Sequence, residues 1–197
     1  MGARRPAEYR DYLAVQLRRT LSKRGESSGI GSRLLISRTI DALGAPVDAR
    51  ILCVGCRNGA ELDEFRARGA RDVVGVDLFS QRDDILVMDM HAMTFDDDSF
   101  DAVYCSHALE HSYDVPSVAS EIERVGRDDA VVALEVPVRI SATAADRIVF
   151  AGVDDLRRAF EPHVGEVLLS EEEPPLTETN EQGTEIARLV FRLRKRG

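Results

Sequence analysis

Ile51-Leu52-Cys53-Val54-Gly55-Cys56-Arg57-Asn58-Gly59-Ala60-Glu61-Leu62 is the stretch that decides the fold. Its first four residues are apolar without alternation, which reads as a strand buried on both faces of a parallel sheet. Gly55 and Gly59 mark a turn, and a helical spacing resumes at Ala60. Glycine permits positive φ and a close backbone approach to a ligand. The first N–H groups of the following helix face polar or anionic atoms. Asp77, 22 residues beyond Gly55, ends the next apolar run, Asp72-Val73-Val74-Gly75-Val76-Asp77. An acid about 20 residues past a glycine turn suits hydrogen bonding to ribose hydroxyls, in a crevice at the carboxyl ends of adjacent strands.

Outward from this core, strand and helix periods alternate. Further strands are expected at 85–88, 100–105 and 130–136, and helices at 60–68, 115–125 and 153–160. The last two strands, 164–169 and 186–193, have no helix between them, which implies an antiparallel strand at one edge of a mostly parallel, seven-stranded α/β sheet. Asp96-Asp97-Asp98 and Glu171-Glu172-Glu173 read as solvated turns. Upstream, Tyr9, Leu13, Leu17 and Leu21 recur every four residues and predict an amphipathic helix. Residues 25–32 read as a hinge, and 34–43 as a second helix stopped by Gly44 and Pro46. The expected organisation is a helical lid segment over residues 1–45 and one domain over 46–197.

A third signal separates the possible cofactors. Asp89-Met90 follows the third strand, and Phe95-Asp96-Asp97-Asp98-Ser99-Phe100-Asp101-Ala102-Val103-Tyr104-Cys105-Ser106-His107-Ala108-Leu109-Glu110-His111 runs through the fourth strand into its loop. Here the chain resembles the class I S-adenosylmethionine-dependent methyltransferases, in their methyltransferase-11-like branch, over roughly residues 34–160. The resemblance implies a Rossmann-like three-layer sandwich. It implies that Gly55, Cys56, Arg57, Asn58 and Gly59 wrap the methionine part of S-adenosylmethionine. It further implies that Asp77, with Leu78, holds the ribose, that Asp89 and Met90 meet the adenine, and that Ser106 and His107 lie beside the sulfonium. The family usually has an acid at the position of Cys53 and a glycine at that of Arg57. Those two departures favour the runner-up, a non-catalytic binding module on the same fold. A nicotinamide-dependent oxidoreductase would need G-x-G-x-x-G, which the chain lacks.

A general base helps methyl transfer when the acceptor is a hydroxyl or a protonated amine. His107 and His111 are the first candidates because imidazole titrates near neutral pH, and Glu110 is the next. His107 to His111 also matches H-x-x-E-H, but a zinc site of that type needs a continuous helix. Cys53-x-x-Cys56 has no second pair, so no metal is expected. His91 is a candidate either for an adenine contact or for a loop cap.

The net charge of −9 argues against a general nucleic-acid binder. The charge is uneven: residues 1–45 carry nine Arg/Lys against four acids, a local +5, and the remainder carries −14. The basic segment reads either as a solvated helix face or as a lid for an anionic substrate; with little of the chain left for docking a macromolecule, a small-molecule acceptor is expected, in a pocket built from residues 1–45, the loop after the fourth strand, and 138–150. No run of 18 apolar residues predicts a membrane span. Three cysteines and no apolar leader predict a cytoplasmic setting. The sequence carries no signal for oligomeric state.

Overall fold

The computed structural model describes residues 7–23, 32–180 and 183–195. The expected hinge at 25–32 lies outside them except for Ser32. Its elements, in order, are α1 (Ala7–Ser22), α2 (Arg33–Leu43), β1 (Arg50–Val54), α3 (Ala60–Ala67), β2 (Asp72–Asp77), β3 (Ile85–Val87), β4 (Phe100–Ser106), α4 (Val115–Val125), β5 (Gly126–Pro137), α5 (Val153–Phe160), β6 (Val164–Glu173) and β7 (Ile186–Leu193). A single 3-10 turn, Leu109–His111, follows β4.

Local chemistry explains the boundaries. Ser32 caps α2 by accepting from the Leu35 N–H at 3.1 Å. Gly44 ends that helix at φ 70°. Asp114 caps α4, accepting from the Ser117 N–H at 2.8 Å.

The seven strands lie in the order β3-β2-β1-β4-β5-β7-β6. β7 runs antiparallel to both neighbours, and the other pairs are parallel. The reversed strand thus sits one place in from the edge, between β5 and β6. Side chains alternate between two cores. Leu52 and Val54 pack with Ile122 of α4 and Phe160 of α5 on one face. Ile51 and Cys53 pack with Leu35 of α2 and Phe65 of α3 on the other. Because β1 is covered on both faces, it carries the unbroken apolar run. Order reverses between β1 and β4, which opens a crevice at the carboxyl ends of the strands.

Two expectations change. β6 continues through Glu171-Glu172-Glu173, which pair in register with Arg188, Ala187 and Ile186 of β7 instead of forming a turn. On α1 the buried positions are Tyr9, Tyr12 and Gln16, while Leu17 is 38% exposed. The helix does not dock on either apolar core. It lies across the strand ends, where the surface offers polar and aromatic partners. Among the described residues no helix is long and apolar enough to cross a membrane.

Candidate functional site

A cavity of about 400 Å³ lies at the carboxyl ends of β1, β2 and β4, within the size range of small-molecule sites. Three chain turns form its floor. At the first, Gly55 has φ 73°, and a Cβ there would run into the Cβ of Ala108. Only glycine fits this close crossing of the β1 and β4 loops. Arg57 holds φ 36° without being glycine, a strained conformation of the kind found at binding sites. Its N–H donates to Asp77 Oδ2 at 2.8 Å, and the Phe79 N–H donates to Oδ1 at 3.4 Å. Asp77 therefore ties the glycine turn to the end of β2. Burial pushes its carboxyl above the ordinary range, against the backbone N–H groups that stabilise the anion.

Of the expected cofactor residues, Gly55, Cys56, Arg57, Asp77, Leu78, Met90 and Ser106 line the cavity; Asn58, Gly59 and Asp89 do not. Asp89 is engaged elsewhere. The Tyr9 hydroxyl donates to its Oδ2, and its Oδ1 accepts from the His91 N–H at 2.9 Å and faces His91 Nδ1 at 2.7 Å. His91 Nε2 accepts from the Tyr113 N–H at 2.9 Å, so Nδ1 carries the proton it shares with Asp89. Burial would raise the Asp89 carboxyl, but His91 and Tyr9 outweigh it and lower it to about 2. Asp89 and His91 thus brace α1 against the sheet.

The loop after β4 brings His107, Glu110 and His111 together on the opposite wall. His107 also has positive φ, 51°. Its Nδ1 lies 3.7 Å from Glu110 Oε1 and its Nε2 lies 3.4 Å from Glu135 Oε1. Burial alone would lower this imidazole; the two carboxylates outweigh it and raise it to about 10. This shift favours the imidazolium, which has no lone pair with which to take a proton. His111 is the reverse. Burial, aided by Arg19, lowers it against the pull of Glu110 and Asp146. Its Nε2 lies 2.7 Å from Arg19 Nη1, and its Nδ1 faces Asp146 Oδ1 at 3.0 Å and the Ala145 carbonyl at 3.2 Å. Arg19 can only donate, so Nε2 accepts, and both ring nitrogens are occupied. Glu110 is buried, and its Oε2 has no hydrogen-bond partner among the described residues.

The raised His107 value has a measurable sign. A folded-state value of about 10 above an ordinary 6.5 contributes stability that is complete below pH 6.5 and lost as pH rises through 10. The melting temperature should therefore fall between pH 7 and 10.5, and His107→Gln should flatten that limb; equal slopes in the two proteins would refute the imidazolium.

One face of α1 completes the wall with Tyr12, Gln16, Arg19, Thr20 and Lys23. Sequence reasoning followed the leucine stripe and did not single out Gln16 or Thr20, although the three- and four-residue spacing of this face is helical. Gln16 Nε2 donates to the Ala145 carbonyl at 2.8 Å. Segment 138–150 thus supports the wall without lining the cavity. Glu61, in the first turn of α3, is a second lining residue that the turn motif did not single out. Cys53, Cys56 and Cys105 are buried and unbonded to one another. The described residues contain no group of three or more His, Cys, Asp or Glu placed to hold a metal.

A family model described as a methyltransferase domain matches residues 52–134. No curated protein matches the chain. Among solved structures, the chain is similar to a Burkholderia thailandensis 1,6-didemethyltoxoflavin-N1-methyltransferase with bound 1,6-didemethyltoxoflavin and S-adenosylhomocysteine, at 16% identity and TM-score 0.72, covering 99% of this chain and 93% of that one. It is also similar to the YcgJ protein of Bacillus subtilis (13% identity, TM-score 0.62, 83% and 99% covered). A third similar structure is the [4+2]-cyclase SpnF (16%, 0.64, 96% and 95%). At these identities the likeness is one of fold.

Proposed function

Since residues 52–134 match the model of a methyltransferase domain, we propose that this chain transfers a methyl group from S-adenosylmethionine to a small, anionic acceptor. The observation that carries the reading is the cavity shared by the Gly55 turn, Asp77 and the His107–His111 loop. The residues fit the cofactor. The glycine turn leaves room for backbone approach, Asp77 is a half-buried carboxylate for ribose hydroxyls, and Val76, Leu78, Met88 and Met90 give an apolar slot for a base. When bound, the cofactor supplies an electrophilic methyl on a sulfonium and leaves as a neutral thioether.

The protein's own work is to hold the acceptor in line, exclude water and manage one proton. α1 covers the cavity mouth. Lys23 forms no ion pair among the described residues and joins the His107 imidazolium as a cationic contact for an anionic acceptor. Arg19 is engaged with His111 and Asp146. The role of base falls to Glu110 Oε2, the one oxygen on this wall that is buried and unpartnered among the described residues. A cavity of this size suits a small molecule, and the Burkholderia structure holds one beside S-adenosylhomocysteine. Three unbonded buried thiols fit a reducing cytoplasm. The second reading, a binding module without turnover, is favoured by the neutral thiol of Cys53 where the family has an acid.

Calorimetric titration tests the premise. Micromolar binding of S-adenosylmethionine and S-adenosylhomocysteine is expected, with none of NADH. Absence of both nucleosides would overturn the reading. Binding without turnover on any acceptor would favour the module.

A further inference from the structure

Glu61 is a carboxylate with no ion-pair partner among the described residues. It follows the Gly59 turn by two residues and lines the cavity beside Gly55, Cys56 and Arg57. Its Oε2 is buried and accepts no hydrogen bond among the described residues. Among the described residues no Lys, Arg or His forms an ion pair with it; its own backbone N–H stabilises the anion, and Arg57 and His107 act on it only at longer range. An uncompensated buried carboxylate oxygen is costly to keep. The N-terminal turn of α3 relieves part of that cost, since this end of a helix favours negative charge, yet it provides no donor to Oε2. Burial accordingly raises the Glu61 carboxyl above its ordinary range. A group in this state calls for a cationic donor from the ligand.

The position of that donor is set by what is missing nearby. Cys53 is fully buried in the strand leading into the same turn. Burial keeps its thiol neutral, and Glu61 is among the charges that act on it. The family acid expected at position 53, which supports the glycine loop or the amino group of the cofactor, is thus replaced by a group that can do neither as an anion. Glu61 reaches the same end of the cavity from α3.

We infer that Glu61 binds the α-ammonium of the cofactor's amino-acid moiety, in place of the acid absent at position 53. The inference rests on the S-adenosylmethionine reading above. It assigns an ammonium-specific contact to a residue outside the glycine motif, and it makes the ligand-free protein pay in stability for a charge that only the ligand satisfies.

The test compares wild type, Glu61→Gln and the Glu61→Gln/Cys53→Asp double variant by calorimetry at pH 7.5. The ligands are S-adenosylhomocysteine and its analogue with the α-amino group replaced by hydrogen. Glu61→Gln should weaken S-adenosylhomocysteine about 10- to 100-fold, the worth of a charged hydrogen bond, and change the deaminated analogue less than twofold. The ligand-free variant should melt at or above wild type, because an uncompensated charge has gone. Partial recovery of S-adenosylhomocysteine binding in the double variant would further support the assignment. Equal weakening of both ligands, or of neither, would overturn it, since Glu61 would then shape the turn or stand aside. Wild type that binds neither nucleoside would overturn the methyl-transfer reading, and the Glu61 assignment with it. Wild type that binds both ligands equally well would overturn the Glu61 assignment alone.

Discussion

Replacing Glu110 by Gln should lower the rate of methyl transfer about 100-fold on an acceptor that must lose a proton, the low end of what a positioned base contributes. The argument is one of elimination within a small space. His107 already carries its proton, and both nitrogens of His111 are engaged. Among the described residues, Glu110 alone on this wall has a buried oxygen with an open lone pair. Gln keeps the shape and removes the basicity, so the loss should appear in kcat. Binding of S-adenosylhomocysteine should change less than about threefold. The same variant removes one of the two carboxylates that hold His107 charged, so its imidazole should titrate lower than in wild type. Single-turnover rates across pH, with NMR titration of His107, check both. An unchanged rate with a lowered His107 value would mean that Glu110 orients the histidine and that the reaction needs no base here.

Arg188→Met should cost about 3–5 kcal/mol, the usual cost of breaking a buried ion pair from one side, or roughly 10 °C in melting temperature for a chain this long. Arg188 is 1% exposed and Glu135 0%. The two are register partners across β5 and β7, and Glu171 faces Arg188 from the other side, across β6. The guanidinium donates to Glu135 Oε2 at 2.6 Å, to Glu171 at 2.9 Å, to Glu173, and to the Thr179 carbonyl at 2.7 Å. Methionine fills the space and leaves Glu135 with only Ser106, at 3.0 Å, and His107. Because those two residues line the cavity, ligand affinity should fall along with stability. Adding Glu135→Gln should recover much of the stability but not the affinity, a coupling that a double-mutant cycle reads directly. A single-variant cost below 1 kcal/mol in urea denaturation would show the network to be solvated in solution.

What could be read in advance follows from how local the cause is. The β1 run, the Gly55 turn and Asp77 declare themselves because strand burial, φ and strand-end position are set within a few residues. The continuation of β6 was not legible, because three consecutive glutamates look solvated until Arg188, 15 residues further on, lies between two of them and Glu135. The leucine stripe of α1 misled for the same reason. Helical period shows which residues share a face, but the partner decides which face is covered, and here the partner is the polar strand-end surface at Asp89 and Ala145. The histidines were legible in position and not in protonation. His107 owes its raised value to Glu110, three residues on, and to Glu135, 28 residues distant on the next strand. Asp89 matched its motif, yet Tyr9, 80 residues earlier, takes one of its oxygens.

That last contact has a bearing on the order in which the molecule assembles. The wall of the cavity that emerges first from the ribosome is α1, and its anchors are Asp89, His111 and the Ala145 carbonyl, between 80 and 129 residues away in the chain. Contacts of such long range form late, after the loops they close have been ordered by other means. The sheet through β5 can therefore be complete while the crevice still stands open on one side. Ligand affinity should consequently lag behind secondary structure during refolding, and the interval between the two signals would time the docking of a single helix.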